Sequence, residues 1–125
     1  MYQTISFIGT GNMGSAIAKA AAKSGLAETI LLSNRTPAKA AALAEELPGG
    51  ALSTNEEIAR SAQLIFLGVK PQMMAGVLEG ITPVLKERTG RFLLVTMAAG
   101  LSCGRIQDMA GVDCPVIRIM PNTPA

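Results

Sequence analysis

Histidine is absent from all 125 residues, and its absence removes several chemistries at once. No Ser-His or Cys-His nucleophilic pair can be assembled, and the commonest general acid or base is missing. The two cysteines, Cys103 and Cys114, have neither Cys-x-x-Cys nor zinc-site spacing. They read as reduced, mostly buried thiols, and no metal site is expected. Tyr2, the single tyrosine, lies too early in the chain to read as catalytic. No apolar run approaches the ~20 residues that span a bilayer, and no signal peptide precedes the opening strand pattern. A membrane partner is therefore not expected, and a cytoplasmic location is. The net charge of +2 comes from scattered Lys and Arg without a basic run or aromatic-basic interleaving, which argues against a nucleic-acid partner. What remains, 49% hydrophobic and 16% charged residues, suits one globular domain with a core.

Thirteen glycines are present, and three of them are spaced as Gly9-Thr10-Gly11-Asn12-Met13-Gly14 directly after the apolar run Ile5-Ser6-Phe7-Ile8. Strand, glycine turn and helix start follow one another, which is the context that the dinucleotide-binding fingerprint G-x-G-x-x-G requires. Gly9 permits a tight turn off the strand, Gly11 lets backbone approach a pyrophosphate, and Gly14 lets the helix pack on the sheet. The helix N-terminus then offers unpaired N–H groups to phosphate oxygens. A glycine-rich turn that binds nothing is the alternative reading of the same residues.

Strand and helix patterns alternate along the rest of the chain. The pattern predicts strands at Thr4–Ile8, Thr29–Ser33, Ala51–Leu52, Leu64–Leu67, Phe92–Thr96 and Val116–Met120. It predicts a helix over Asn12–Ser24 capped by Gly25, and a second that opens at Thr36-Pro37 and stops at Pro48-Gly49-Gly50. A third follows the capping-box spacing Thr54…Glu57. Helical segments near Gln72–Gly80 and Pro83–Glu87, and another at Ser102–Met109, complete the set. The fold class that results is α/β: a Rossmann-type, doubly wound, mainly parallel sheet with helices on both faces. Right-handed crossovers place the strand C-terminal ends along one edge, where open α/β sheets bind ligands.

The end of the second strand carries information about the nucleotide. A domain that prefers NAD usually has Asp or Glu there, roughly 20 residues beyond the glycine loop. This chain has Ser33-Asn34-Arg35-Thr36 instead. A carboxylate would repel a 2′-phosphate, whereas an arginine beside an amide and hydroxyls would bind one, so NADP is favoured over NAD. An exposed loop arginine is the other reading of Arg35. Asn55 falls near the same edge and either adds an amide contact to the adenosine half or simply starts a helix.

At Val69-Lys70-Pro71-Gln72 and Met120-Pro121-Asn122-Thr123-Pro124, taken with the glycine loop, Ser33-Asn34-Arg35 and Met97-Ala98-Ala99-Gly100, the chain resembles pyrroline-5-carboxylate reductase. The resemblance runs from the first strand to the last residue. It implies NAD(P)H-dependent reduction of the C=N bond of 1-pyrroline-5-carboxylate to L-proline. It also implies that Gly9–Gly14 hold the pyrophosphate, that Asn34 and Arg35 hold the 2′-phosphate, and that Asn55 lies beside that ribose. Gly68, Val69, Lys70 and Pro71, with Met97, Ala98 and Ala99, are implied to flank the nicotinamide ribose and ring. Asn122 and Thr123 are implied to line the floor towards a small-molecule imine substrate.

Local physics agrees with those roles and also fits blander ones. Pro71 disfavours helix at Lys70, so the fourth strand should leave in an extended turn whose backbone can face a ligand. Lys70 without context is a solvated lysine, and Ala98-Ala99-Gly100 suits ordinary strand-to-helix packing as well as a flat ring. Hydride transfer to a protonated imine asks the protein mainly for alignment and water exclusion, so no residue of this chain is assigned a catalytic role. The resemblance implies a second, helical C-terminal domain that makes the homo-oligomer and most substrate contacts. These residues are accordingly expected to be the cofactor domain of a longer reductase. Two rivals remain at this point: the cofactor domain of a β-hydroxyacid or 6-phosphogluconate-type dehydrogenase, and a non-catalytic NADP-binding sensor.

Overall fold

The structure, a computed structural model, describes residues 2–9, 12–25, 27–88, 90–96, 102–112 and 114–119. Strands and helices alternate as β1 Tyr2–Ile8, α1 Asn12–Ser24, β2 Ala27–Ser33, α2 Pro37–Glu46, β3 Gly50–Leu52 and α3 Asn55–Ser61. The second half continues as β4 Leu64–Leu67, α4 Pro71–Glu87, β5 Leu93–Thr96, α5 Cys103–Ala110 and β6 Val116–Arg118. The strand order is β3-β2-β1-β4-β5-β6, and every pairing is parallel. This is the doubly wound order whose direction reverses between β1 and β4. The expected α/β class is thus observed, and the described sheet is wholly parallel.

Alternation along the strands divides the apolar side chains between two faces. Ile5, Phe7, Ile30, Leu32, Leu64 and Phe66 form one core with Ala18 and Ala21 of α1 and Ala40 and Leu43 of α2. Ile8, Ile65, Leu67 and Leu94 form the other with α3, α4 and α5. All four residues of β4 are buried, as a strand covered on both faces requires. Phe7 and Phe66 are register partners, and their rings stack with centroids 4.5 Å apart. Buried Ser6 does not leave an unsatisfied hydroxyl, since its Oγ donates to the Leu64 carbonyl at 3.0 Å.

The strand ends differ modestly from expectation. β1 and β2 begin two residues earlier, β3 takes in Gly50, and β5 begins at Leu93 rather than Phe92. β6 ends at Arg118, and Met120 lies outside the described residues. Gly25, at φ +69, follows α1 as the expected left-handed cap. Thr54 accepts a hydrogen bond from the Glu57 N–H at 3.2 Å, which is half of the expected capping box. The Glu57 carboxylate pairs with Arg60 instead, at 3.0 Å. Thr36 occupies the N-cap of α2 and Pro37 follows it, but the Thr36 side chain makes no capping bond.

The clearest correction concerns α4, which is one helix rather than two segments broken near Pro83. Met74, Leu78, Ile81 and Leu85 all point into the core from a single continuous stripe. An interior proline costs a helix about 3 kcal/mol. Burial of one such side chain is worth roughly 1.5–3 kcal/mol, so breaking the helix before Ile81 and Leu85 would forfeit more than Pro83 costs. Pro83 and Glu79, whose carbonyl loses its N–H donor, are both exposed, so water can replace the missing bond. Beyond α4, Arg88 donates to the Ala59 carbonyl at 2.9 Å and lies 5.0 Å from the Phe92 ring centroid. It thereby ties the end of α4 to α3 and to the approach of β5, and burial lowers its pKa from the usual guanidinium value.

Candidate functional site

The parallel ladder continues past the strand ends and sets the first residues of successive loops side by side. Gly9 N–H donates to the Ser33 carbonyl at 2.8 Å, Gly68 N–H to Ile8 at 2.8 Å, and Ser53 N–H to Leu32 at 2.8 Å. The β1, β2, β3 and β4 exits therefore meet at one edge, on either side of the point where the winding reverses. A crevice of about 610 Å³ opens there.

Two glycines make the crevice possible. Gly9 has φ +90, and a Cβ built on it would lie 2.8 Å from both the carbonyl carbon and oxygen of Gly68. No L side chain fits that position, so the β1 exit can pass this closely to the β4 exit only as glycine. A Cβ on Gly14 would lie 2.9 Å from the Gly9 carbonyl oxygen, so Gly14 lets the start of α1 close onto the turn. These are the tasks expected of the first and third glycines. Thr10 and Gly11 lie outside the described residues, and of Asn12 and Met13 the backbone alone is described, at the start of α1.

Several expected residues come together in the crevice. Gly9, Asn34, Arg35, Asn55, Gly68, Val69 and Lys70 all line it. Pro71 does not, but it holds Lys70 at φ −64 and ψ 148, the extended exit that a residue before proline is expected to adopt. Gly68–Lys70 thus share one crevice with Asn34 and Arg35. The lining carries two cations, Arg35 and Lys70, and no carboxylate among the described residues. Arg35 is exposed and, among the described residues, has neither an ion-pair nor a hydrogen-bond partner. Met97, Ala98, Ala99, Asn122 and Thr123, expected on the nicotinamide and substrate sides, lie outside the described residues.

Sequence reasoning missed part of the lining. Met73 and Val77 face the crevice one helical turn apart on α4, together with Gln72. Their i, i+4 spacing directly after Pro71 marks a shared helix face, which is as far as the sequence signal goes. Ser33 stands out in the sequence only as part of the Ser33-Asn34-Arg35 stretch. Its hydroxyl donates to Asn55 Oδ1 at 2.6 Å, joining the end of β2 to the start of α3. Cys114 is buried and Cys103 half-buried. Among the described residues, no group of three or more acidic or cysteine side chains is placed to hold a metal ion. Nor is any described helix long and apolar enough to cross a membrane.

A nicotinamide dinucleotide fits this crevice on the structure's own terms. Gly9 and Gly14 leave no room for a Cβ, three amides (Asn34, Asn55 and Gln72) and two cations line the walls, and no described carboxylate opposes a phosphate. Comparison with known proteins points the same way. Residues 4–100 match the family model described as NADP oxidoreductase, coenzyme F420-dependent. The chain is 39% identical over 127 aligned positions to pyrroline-5-carboxylate reductase of Escherichia coli (strain K12), covering 100% of this chain and 46% of that protein. The crystal structure of Plasmodium falciparum pyrroline carboxylate reductase with NADP bound superposes with a TM-score of 0.77 at 30% identity, covering 98% of this chain and 43% of that one. The structure of a pyrroline-5-carboxylate reductase from Coxiella burnetii gives a TM-score of 0.86 at 29% identity, covering 99% of this chain and 46% of that one. The chain spans a little under half the length of these relatives. With a six-stranded parallel sheet, a glycine-cradled crevice and a family match over residues 4–100, the chain belongs to the NADP oxidoreductase, coenzyme F420-dependent family as an NAD(P)-binding oxidoreductase domain.

Proposed function

We propose that this chain is the cofactor-holding domain of a pyrroline-5-carboxylate reductase, and that it prefers NADPH to NADH. The observation that carries the reading is one crevice that joins the Gly9 turn, Asn34, Arg35, Asn55 and Gly68–Lys70 without a described carboxylate. The similarity to pyrroline-5-carboxylate reductases along nearly the whole chain supports the choice of reaction.

In this reading Gly9–Gly14 and the start of α1 take the pyrophosphate, with Gly9 and Gly14 letting the turn close against the β4 exit and α1. Arg35 and Asn34 take the 2′-phosphate by charge-assisted hydrogen bonds, and Asn55 lies beside the same ribose. Gly68–Pro71 and Met97–Ala99 flank the nicotinamide ribose and ring, and Asn122 and Thr123 line the floor on the imine side. Because Gly68–Lys70 share the crevice with Arg35, that wall also reaches towards the adenosine half. The bound cofactor supplies the hydride; the chain's residues orient it and exclude water. A further helical domain supplies most substrate contacts and a homo-oligomeric interface, and the enzyme works in the cytoplasm.

The test is turnover by a full-length reductase that carries this domain. Consumption of NADPH with 1-pyrroline-5-carboxylate, and no NADP reduction with a panel of 3-hydroxy acids, is expected. The reverse pattern would identify a hydroxyacid dehydrogenase instead. The isolated 125-residue chain should show negligible proline formation, and a rate near that of the full-length enzyme would contradict the division of labour.

A further inference from the structure

We propose that Ser33 is a positioning residue that sets cofactor specificity by fixing the orientation of the Asn55 amide. The inference rests on the 2′-phosphate reading above and adds a residue to it. Ser33 ends β2 and is only 7% exposed. Its carbonyl accepts the Gly9 N–H at 2.8 Å and its hydroxyl donates to Asn55 Oδ1 at 2.6 Å. One residue therefore anchors both the glycine turn and the head of α3. Asn55 is the first residue of α3, whose N-cap Thr54 bonds the Glu57 N–H and holds the helix start in place. Ser33, Asn55 and Arg35 line the same crevice.

A primary amide presents an acceptor on one side and two N–H donors on the other. With Oδ1 engaged by the buried hydroxyl, the Nδ2 donors are the side of Asn55 left for a ligand. Donors suit the oxygens of a phosphate. The opposite orientation would present Oδ1, an acceptor, which a ribose 2′-hydroxyl can meet and a phosphate dianion cannot. In the observed arrangement the Ser33 hydroxyl donates, so the donor end of the Asn55 amide is the one that reads the ribose, and it complements the charge of Arg35. Asn55 contacts the ligand; Ser33 acts through it.

The experiment is titration of the 125-residue chain with NADPH and with NADH, comparing wild type with Ser33→Ala, Ser33→Thr, Asn55→Asp and Arg35→Ala. Ser33→Ala releases the amide, and the NADPH-to-NADH affinity ratio should fall about three- to tenfold, the worth of one hydrogen bond. Ser33→Thr keeps a hydroxyl and should restore most of the ratio. Asn55→Asp still accepts from Ser33 but offers only acceptors, and its ratio should fall by more than tenfold. Ser33→Cys, whose thiol is a weak donor, carries the test if Ser33→Ala does not fold. A ratio lowered by Arg35→Ala but untouched by Ser33→Ala would overturn this inference, whatever Asn55→Asp does, and leave the 2′-phosphate reading standing. Equal affinities for the two cofactors in wild type would overturn both. Equal losses for both cofactors in Ser33→Ala, without rescue by threonine, would reduce Ser33 to a packing role.

Discussion

Gly9 and Gly68 approach so closely that a single methyl group on Gly9 would sit 2.8 Å from the Gly68 carbonyl. This contact joins the exits of the two strands at which the sheet changes its direction of winding, β1 and β4. The crevice lies over it, and its shape depends on those two backbones staying in contact.

Gly9→Ala should accordingly damage stability and binding together. The positive φ alone costs on the order of 1–3 kcal/mol for a residue with a Cβ, and the overlap with Gly68 adds to it. The thermal midpoint should fall by several degrees, and NADPH and NADH should both bind at least tenfold more weakly. Scanning calorimetry and titration of the same sample check this. An unchanged midpoint with unchanged affinities would mean that the turn tolerates a Cβ.

Arg35→Ala should act on one cofactor more than the other. Loss of a charge-assisted phosphate contact costs ~1–3 kcal/mol, and that loss should appear in NADPH binding and hardly at all in NADH binding. The midpoint should move little, since Arg35 is exposed and pairs with nothing among the described residues. Equal weakening of both cofactors would show that Arg35 does not read the 2′-phosphate.

Pro83→Ala should stabilise the chain. Alanine restores the N–H that Pro83 lacks inside α4, and the buried stripe from Met74 to Leu85 is already helical on both sides of it. A gain of about 1–3 kcal/mol in urea unfolding is expected. A loss of stability would mean that the proline ring supports the helix by contacts worth more than the missing bond.

How far the sequence revealed this molecule depended on how local each signal is. The Gly9 turn, the apolar run of β4 and the exit at Lys70-Pro71 are written in a few adjacent residues, and each was legible. The break expected at Pro83 followed a local rule that burial of Ile81 and Leu85 overrode from across the core. The capping box was half right for a related reason: Thr54 caps its helix, but Glu57 found a nearer partner in Arg60. Ser33 was the least legible part of the site. Its bond to Asn55 spans 22 residues and exists only once β2 and α3 are brought to one sheet edge. Met73 and Val77 carried a helical spacing that points to a shared face, though not to the crevice it would meet.

The central claim, a crevice built for a 2′-phosphorylated dinucleotide, is tested most directly by calorimetric titration of the 125-residue chain with NADPH and NADH side by side. Saturable binding of NADPH, at least tenfold tighter than that of NADH, is the result expected from Arg35 and an unopposed phosphate site. Equal affinities, or tighter binding of NADH, would contradict it.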